Sequence, residues 1–201
     1  MKKLILLLSV VFLTTTSLQA QDSQFYLGIG AGYATASGSG ADDVEGGINL
    51  KLIDVGFRFT ENFGITAGLA SSAHTLEDID YNDLVVGVAH FAVGPMLTMP
   101  LMDDLSWDFK PQIALRYIGK YSGDSAEAAG LDDVDVTGSA FIIGNSFVYG
   151  LGGSQGFAIS FDIDYRMGKF TKAEGPGGTS DINDNNKLNN LNIGFGLRYN
   201  F

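Results

Sequence analysis

Hydrophobic residues recur at every second position through most of this chain, up to its last residue. In "LNIGFGLRYNF" they are Leu191, Ile193, Phe195, Leu197, Tyr199 and Phe201. Period two marks a strand with one apolar face, and no sustained spacing at three and four residues competes with it. An apolar strand at the end of a chain is an edge that invites aggregation unless something covers it. The pattern therefore predicts a sheet whose last strand is paired on both sides.

Reading forward, seven more alternating segments precede it. The first, 25–34, sets Phe25, Leu27, Ile29, Ala31 and Tyr33 against Tyr26 and three glycines. The second, 45–60, carries Leu50 and Leu52 on one parity and Ile53, Val55, Phe57 and Phe59 on the other. A one-residue slip flips every following side chain, so a bulge is predicted at Leu52 and Ile53. The third begins at Phe63, and the fourth is a longer apolar run, 84–99, whose facing the pattern leaves open. In the fifth, 105–121, Trp107, Phe109, Pro111, Ile113, Leu115 and Tyr117 oppose Asp108, Lys110, Gln112 and Arg116. The sixth, 136–151, holds Phe141, Ile143, Phe147 and Tyr149. The seventh, 157–170, sets Phe157, Ile159, Phe161, Ile163 and Tyr165 against Ser160, Asp162, Asp164 and Arg166.

The connections alternate as well. After segments two, four and six they are short ("TEN", "PLMDD", "GGSQG"). After the odd segments they are long and acidic or glycine-rich, as in "HTLEDIDYND" and "TKAEGPGGTSDINDNNK". Eight strands with short turns at one end and long loops at the other predict an all-β fold, an eight-stranded antiparallel up-and-down barrel. Three features set its apolar face outward, towards lipid. The other face is rich in glycine, which suits a narrow interior. It also carries charges of both signs that can pair: Lys51, Asp54, Arg58, Asp108, Lys110, Arg116, Asp162, Asp164, Arg166 and Arg198. Trp107 and tyrosines 33, 117, 149, 165 and 199 lie towards strand ends, as interfacial girdles require. A strand of ~10 residues tilted by ~45° crosses the hydrocarbon layer, so the barrel is read as transmembrane. Pairing of Arg166 and Arg198 with Asp162 and Asp164 is expected to stabilise the interior.

Composition adds a leader and a charge. Lys2 and Lys3, the apolar run 4–13 and "TTTSLQA" make residues 1–20 a signal peptide, leaving 21–201 as the barrel domain. The mature chain then has 10 basic and 23 acidic residues, a net charge of −13, which argues against nucleic acid as a partner. The absence of cysteine excludes disulfides and thiolate metal sites.

With the signal peptide running into "QAQDSQFYLGIGAGY" and a terminal strand ending Ile193, Phe195, Leu197, Tyr199 and Phe201, the chain resembles the small outer-membrane β-barrel family of diderm bacteria. That group is typified by the OmpA transmembrane domain, OmpX and OmpW, and the leader junction is similar to that of Bacteroidota porin-family chains. The resemblance implies residence in the bacterial outer membrane, in contact with outer-membrane lipid and lipopolysaccharide. It implies that Phe195, Leu197, Tyr199 and Phe201 form the signal read by barrel-assembly machinery. No periplasmic peptidoglycan-binding domain is expected after the last strand. The family carries many activities, so it implies architecture more than function.

Candidate chemistry is sparse. "GIGAGY" departs from G-x-G-x-x-G and no helical pattern follows it. "DINDNN" and "LDDVD" offer oxygen ligands, but Asn186 stands where an EF-hand needs glycine and Asn192 where it needs glutamate. These read as solvated acidic loops which, with Asp42, Asp43, Glu77, Asp78, Asp80, Asp132 and Asp133, hold divalent cations only loosely. Ser71, Ser72, His74 and Glu77 contain the residue types of a lipid-modifying enzyme, while His90 reads as a packed lumen residue. The leading expectation is a non-enzymatic barrel with a polar, mostly closed lumen, no cofactor, and a structural or surface role through four acidic loops. A narrow conduit for small solutes ranks second and a lipid-modifying enzyme third.

Overall fold

The computed structural model describes residues 25–41, 44–76, 84–152, 156–182 and 186–201. The expected leader and the carboxylates Asp42, Asp43, Glu77, Asp78 and Asp80 lie outside the described residues. Strands β1 (Phe25–Ser37), β2 (Val44–Arg58), β3 (Phe63–Leu76), β4 (Val85–Met102), β5 (Leu105–Ser122), β6 (Asp135–Gly150) and β7 (Gly156–Gly175) each pair antiparallel with the next. A short β8 (Gly178–Asp181) turns back on β7 through Pro176 and Gly177. The final strand, β9 (Lys187–Asn200), pairs with both β7 and β1 and closes a ring of eight strands. The Phe201 N–H then donates to the Phe25 carbonyl at 3.0 Å. Closure pairs β9 on both sides and leaves no open edge there.

Facing follows the alternation. The apolar side chains of β1, β3, β7 and β9 point outward, with Ile29 57%, Phe63 62%, Phe157 55% and Phe195 68% exposed. A belt of this extent is the surface of a protein solvated by lipid rather than water. In β4, whose facing the pattern left open, the even positions Val86, Val88, His90, Ala92, Met96 and Thr98 are buried inside.

Bulges decide the rest. The β2–β3 ladder shifts between Lys51 and Ile53, so Leu52 and Ile53 both face outward, as expected from the parity switch. A second bulge, at Leu115, was not visible in the pattern: the β4–β5 ladder passes from Phe91↔Arg116 to Ala92↔Ala114. It corrects two assignments. Arg116, expected in the lumen, is exposed on the outer face, and Tyr117, expected in a girdle, is buried inside. The apolar series Ile113, Leu115 and Tyr117, unbroken at every second position, hid the change of parity. In β7 the partner of Thr137 is Lys172 and that of Gly138 is Phe170, so a further bulge at Thr171 turns Lys172 outward.

The loop expected after residue 170 is instead largely strand, because β7 continues to Gly175 and folds into the β8 hairpin. A short helix, α1 (Asp124–Ala129), ends at Gly130, whose φ of 66° is the left-handed conformation that glycine adopts without strain. One seam is irregular. Between Val93↔Ile113 and Leu97↔Phe109 the β4–β5 ladder skips three positions. The middle one would join Pro95 to Pro111, and neither has an N–H to give.

Candidate functional site

The lumen is filled in layers. Nearest the short turns, Arg198 Nη1 donates to Asp108 Oδ2 at 2.7 Å, and Asp108 Oδ1 accepts from the Thr98 hydroxyl at 2.7 Å. The Arg198 guanidinium lies 3.3 Å from the centre of the Tyr26 ring, and the Tyr26 hydroxyl donates to Asp54 at 3.1 Å. Gly56 makes this possible, since a Cβ there would land on the Tyr26 ring. Lys110 reaches Asp54 at 3.0 Å from across the barrel. Lys51 bridges Asp162 and Asp164, each at 3.1 Å. These charges come from β2, β5, β7 and β9, so the ion pairs tie opposite walls together. Buried pairs of this kind hold only when both partners remain in place.

The pairing differs from the one expected. Asp162 and Asp164 belong to Lys51, and Arg198 belongs to Asp108. The register sets Arg198 opposite Ala158 and Asp162 opposite Gly194, and sequence alternation cannot give that stagger. Arg58 faces the lumen beyond Gly56, near the short-turn mouth. Arg166 bonds to no carboxylate in the described lumen and forms a second layer of its own.

Arg166 is fully buried at mid-lumen. Its Nε and Nη2 donate to Asn190 Oδ1, Nη2 also to the Ser72 hydroxyl at 2.8 Å, and Nη1 to His90 Nδ1 at 3.0 Å. A guanidinium only donates, so the Asn190 carboxamide oxygen must face it. The Asn190 Nδ2 then donates to His74 Nε2 at 2.9 Å and to the Thr35 carbonyl at 3.2 Å. His74 therefore carries its proton on Nδ1, which donates to the Glu45 carbonyl at 3.0 Å. Both histidines are neutral acceptors towards this layer, and both His74 nitrogens are engaged.

That arrangement bears on the residues considered for lipid chemistry. Ser72 and His74 point into the lumen, whereas Ser71 pairs with Leu50 on the opposite face. Glu77 lies outside the described residues. Alternation put Ser71 and His74 on opposite parities from the start, and that signal was available. Asn190, which orients the histidine, was missed because an isolated asparagine carries no motif.

Towards the long loops the lumen becomes more apolar. Val88, Ala92, Tyr117, Ile142, Phe170 and Leu188 form its core, with the Tyr117 and Phe170 rings stacked at 4.7 Å. Ala41, Val134 and Ile182, from the loop side, pack against it. The interior is thus polar in its short-turn half and mixed in its loop half, where this apolar core lies beside the buried Ser72, His74 and Asn190; a polar, mostly closed lumen was expected. Between the halves a cavity of about 30 Å³ is lined by Lys51, Lys110, Asp164, Arg166 and Asn192 among others. Two smaller ones measure about 10 Å³ each. These spaces hold about one or two waters each. Among the described residues no three His, Asp or Glu side chains are grouped so as to hold a metal ion.

A closed antiparallel ring, a lipid-facing apolar belt and a packed interior define the fold of a small outer-membrane β-barrel protein. Two solved structures share it. Neisserial surface protein A aligns over 90% of this chain and 99% of its own, at 13% identity and a TM-score of 0.60. Ail, the attachment invasion locus protein of Yersinia pestis, aligns over 89% of this chain and 100% of its own, at 15% identity and a TM-score of 0.51. At such identities the likeness is one of fold. No protein-family model and no curated protein matches the sequence.

Proposed function

We propose that this chain is an integral protein of the bacterial outer membrane, exported by residues 1–20, whose lumen is a structural plug and whose working surface is its loop end. The observation that carries this reading is the filling of the lumen, with ion pairs below, Arg166 at mid-height and the Tyr117–Phe170 stack above. An eight-stranded ring leaves little room beyond its side chains. The protein is not an enzyme in this reading, which the engagement of both His74 nitrogens supports. The two structural neighbours bear names of surface and attachment proteins, in line with a surface-interaction role. Phe195, Leu197, Tyr199 and Phe201, all outward on β9, are the features that assembly machinery reads, and the acidic loops hold divalent cations loosely beside lipid headgroups.

The test is conductance in a planar bilayer, with heat-modifiable gel mobility to establish that the barrel has formed. A folded barrel that stays silent is the expected result. Stable single-channel steps would overturn the plug and establish a narrow solute conduit, with Lys51, Lys110 and Arg166 as its selectivity residues.

A further inference from the structure

The two halves of the lumen differ in how their polar atoms are satisfied. In the short-turn half Arg198 Nε and Nη2 and Asp162 Oδ1 have no hydrogen-bond partner among the described residues, although both side chains are buried. Both residues line one of the cavities of about 10 Å³. Asn192, whose Oδ1 likewise has no partner among the described residues, lines the other and the cavity of about 30 Å³. Lys51 borders all three. Two of its three N–H groups go to Asp162 and Asp164, which leaves one for a further acceptor. Small spaces bordered by such donors and acceptors are where buried water sits, so this half is hydrated around Lys51.

The loop half is built the opposite way. Asn190 bonds to Arg166, His74 and the Thr35 carbonyl, His74 also to the Glu45 carbonyl, and Ser72 to Arg166. The Tyr117 hydroxyl donates to the Leu188 carbonyl at 3.4 Å, and the Arg166 guanidinium lies 5.7 Å from the Tyr117 ring, so this bonded layer abuts the apolar cluster. The cluster draws Val88 and Ala92 from β4, Tyr117 from β5, Ile142 from β6, Phe170 from β7 and Leu188 from β9. It is tight enough to require glycine in its walls. A Cβ at Gly168 would land on the Tyr117 hydroxyl, and one at Gly119 would lie 2.8 Å from the Phe170 ring. Ala41, Leu76, Val134 and Ile182 pack against it, one from within or beside each of the four connections at the loop end.

We infer that this apolar cluster, rather than the ion-pair network, is what closes the lumen to water and ions. A close-packed apolar constriction offers water neither room nor a replacement for the hydrogen bonds that it gives up on entering. The ion pairs offer both, because their spare donors and acceptors border cavities and hold water in place. The inference rests on the reading of the lumen as a plug and names the part of the plug that seals.

The experiment compares the wild type with Phe170→Ala and with Asp108→Ala/Arg198→Ala. Conductance is measured in planar bilayers and proton leak in dye-loaded vesicles, and heat-modifiable mobility reports folding in every arm. Phe170→Ala is expected to leak faster than the wild type. The double variant, which removes more side-chain volume but from the short-turn half, is expected to stay at the wild-type level. Leu188→Ala, which keeps both rings, replaces Phe170→Ala if that chain does not fold. A folded barrel of either apolar variant that is as tight as the wild type overturns the inference. So does a leak through the double variant, which would make the ion pairs the seal. Stable channel steps in the wild type would refute the plug itself, and the inference with it.

Discussion

Removing the carboxylate of Asp108 is the sharpest test of the lumen architecture. The residue has no exposed surface, and Arg198 is 4% exposed. Arg198 Nη1 has its acceptor in Asp108, while Nε and Nη2 have none among the described residues. In Asp108→Asn the guanidinium therefore keeps its place over Tyr26 but loses its counter-ion. Asp54, which lines the same small cavity as Arg198, is already held by Lys110 and the Tyr26 hydroxyl. Leaving one partner of a buried pair costs about 3–5 kcal/mol, of which the stacking on Tyr26 recovers no more than about 2 kcal/mol. Replacing both partners with apolar residues, Asp108→Leu with Arg198→Met, removes the stranded charge and is expected to cost about 1 kcal/mol or less. Urea unfolding in lipid vesicles, followed through the fluorescence of Trp107, the chain's single tryptophan and the neighbour of Asp108, measures all the variants. The reasoning fails if Asp108→Asn costs under about 1 kcal/mol, or if the double replacement costs as much as the single variants added together.

Three further outcomes are expected. Replacing Pro95 and Pro111 together with valine supplies the two missing N–H donors at a lipid-facing position, raising stability by about 1–2 kcal/mol in the same assay; an unchanged urea midpoint would refute the skipped-ladder account. Nitrogen NMR of the folded barrel should find His74 protonated at Nδ1 and His90 at Nε2, and the reverse tautomer on His74 would break the chain of donors running from Arg166 through Asn190. Phe170→Ala, which removes half of the stack against Tyr117, should cost about 3–5 kcal/mol, and a loss under about 1 kcal/mol in urea unfolding would show that the loop-end core is not packed as described.

Much of the fold was legible because a barrel repeats one rule eight times. Alternation located every strand of the ring, and loop lengths gave their order and direction. The bulge at Leu52 was readable since large residues stand on both sides of it: Leu50 and Leu52 on one parity, Ile53 and Val55 on the other. The bulge at Leu115 is hidden because the apolar series Ile113, Leu115 and Tyr117 runs unbroken across it at every second position, although Tyr117 has changed face. Arg116 and Tyr117 were misplaced for that reason alone. Past residue 170 the composition reads as loop because Glu174, Pro176 and three glycines dominate it, and pairing with β6 on one side and β8 on the other keeps β7 extended there.

The site was legible in its ingredients and not in its pairing. Alternation says which wall residues face inward but nothing about the stagger between walls, and ion pairs across a lumen depend on stagger. That is why Lys51, rather than an arginine, holds Asp162 and Asp164, and why Arg166 keeps company with Asn190, Ser72 and His90. Alternation and its bulges, rather than composition, divide this chain's bases beyond residue 24 into five that face the lumen and five that face what surrounds it.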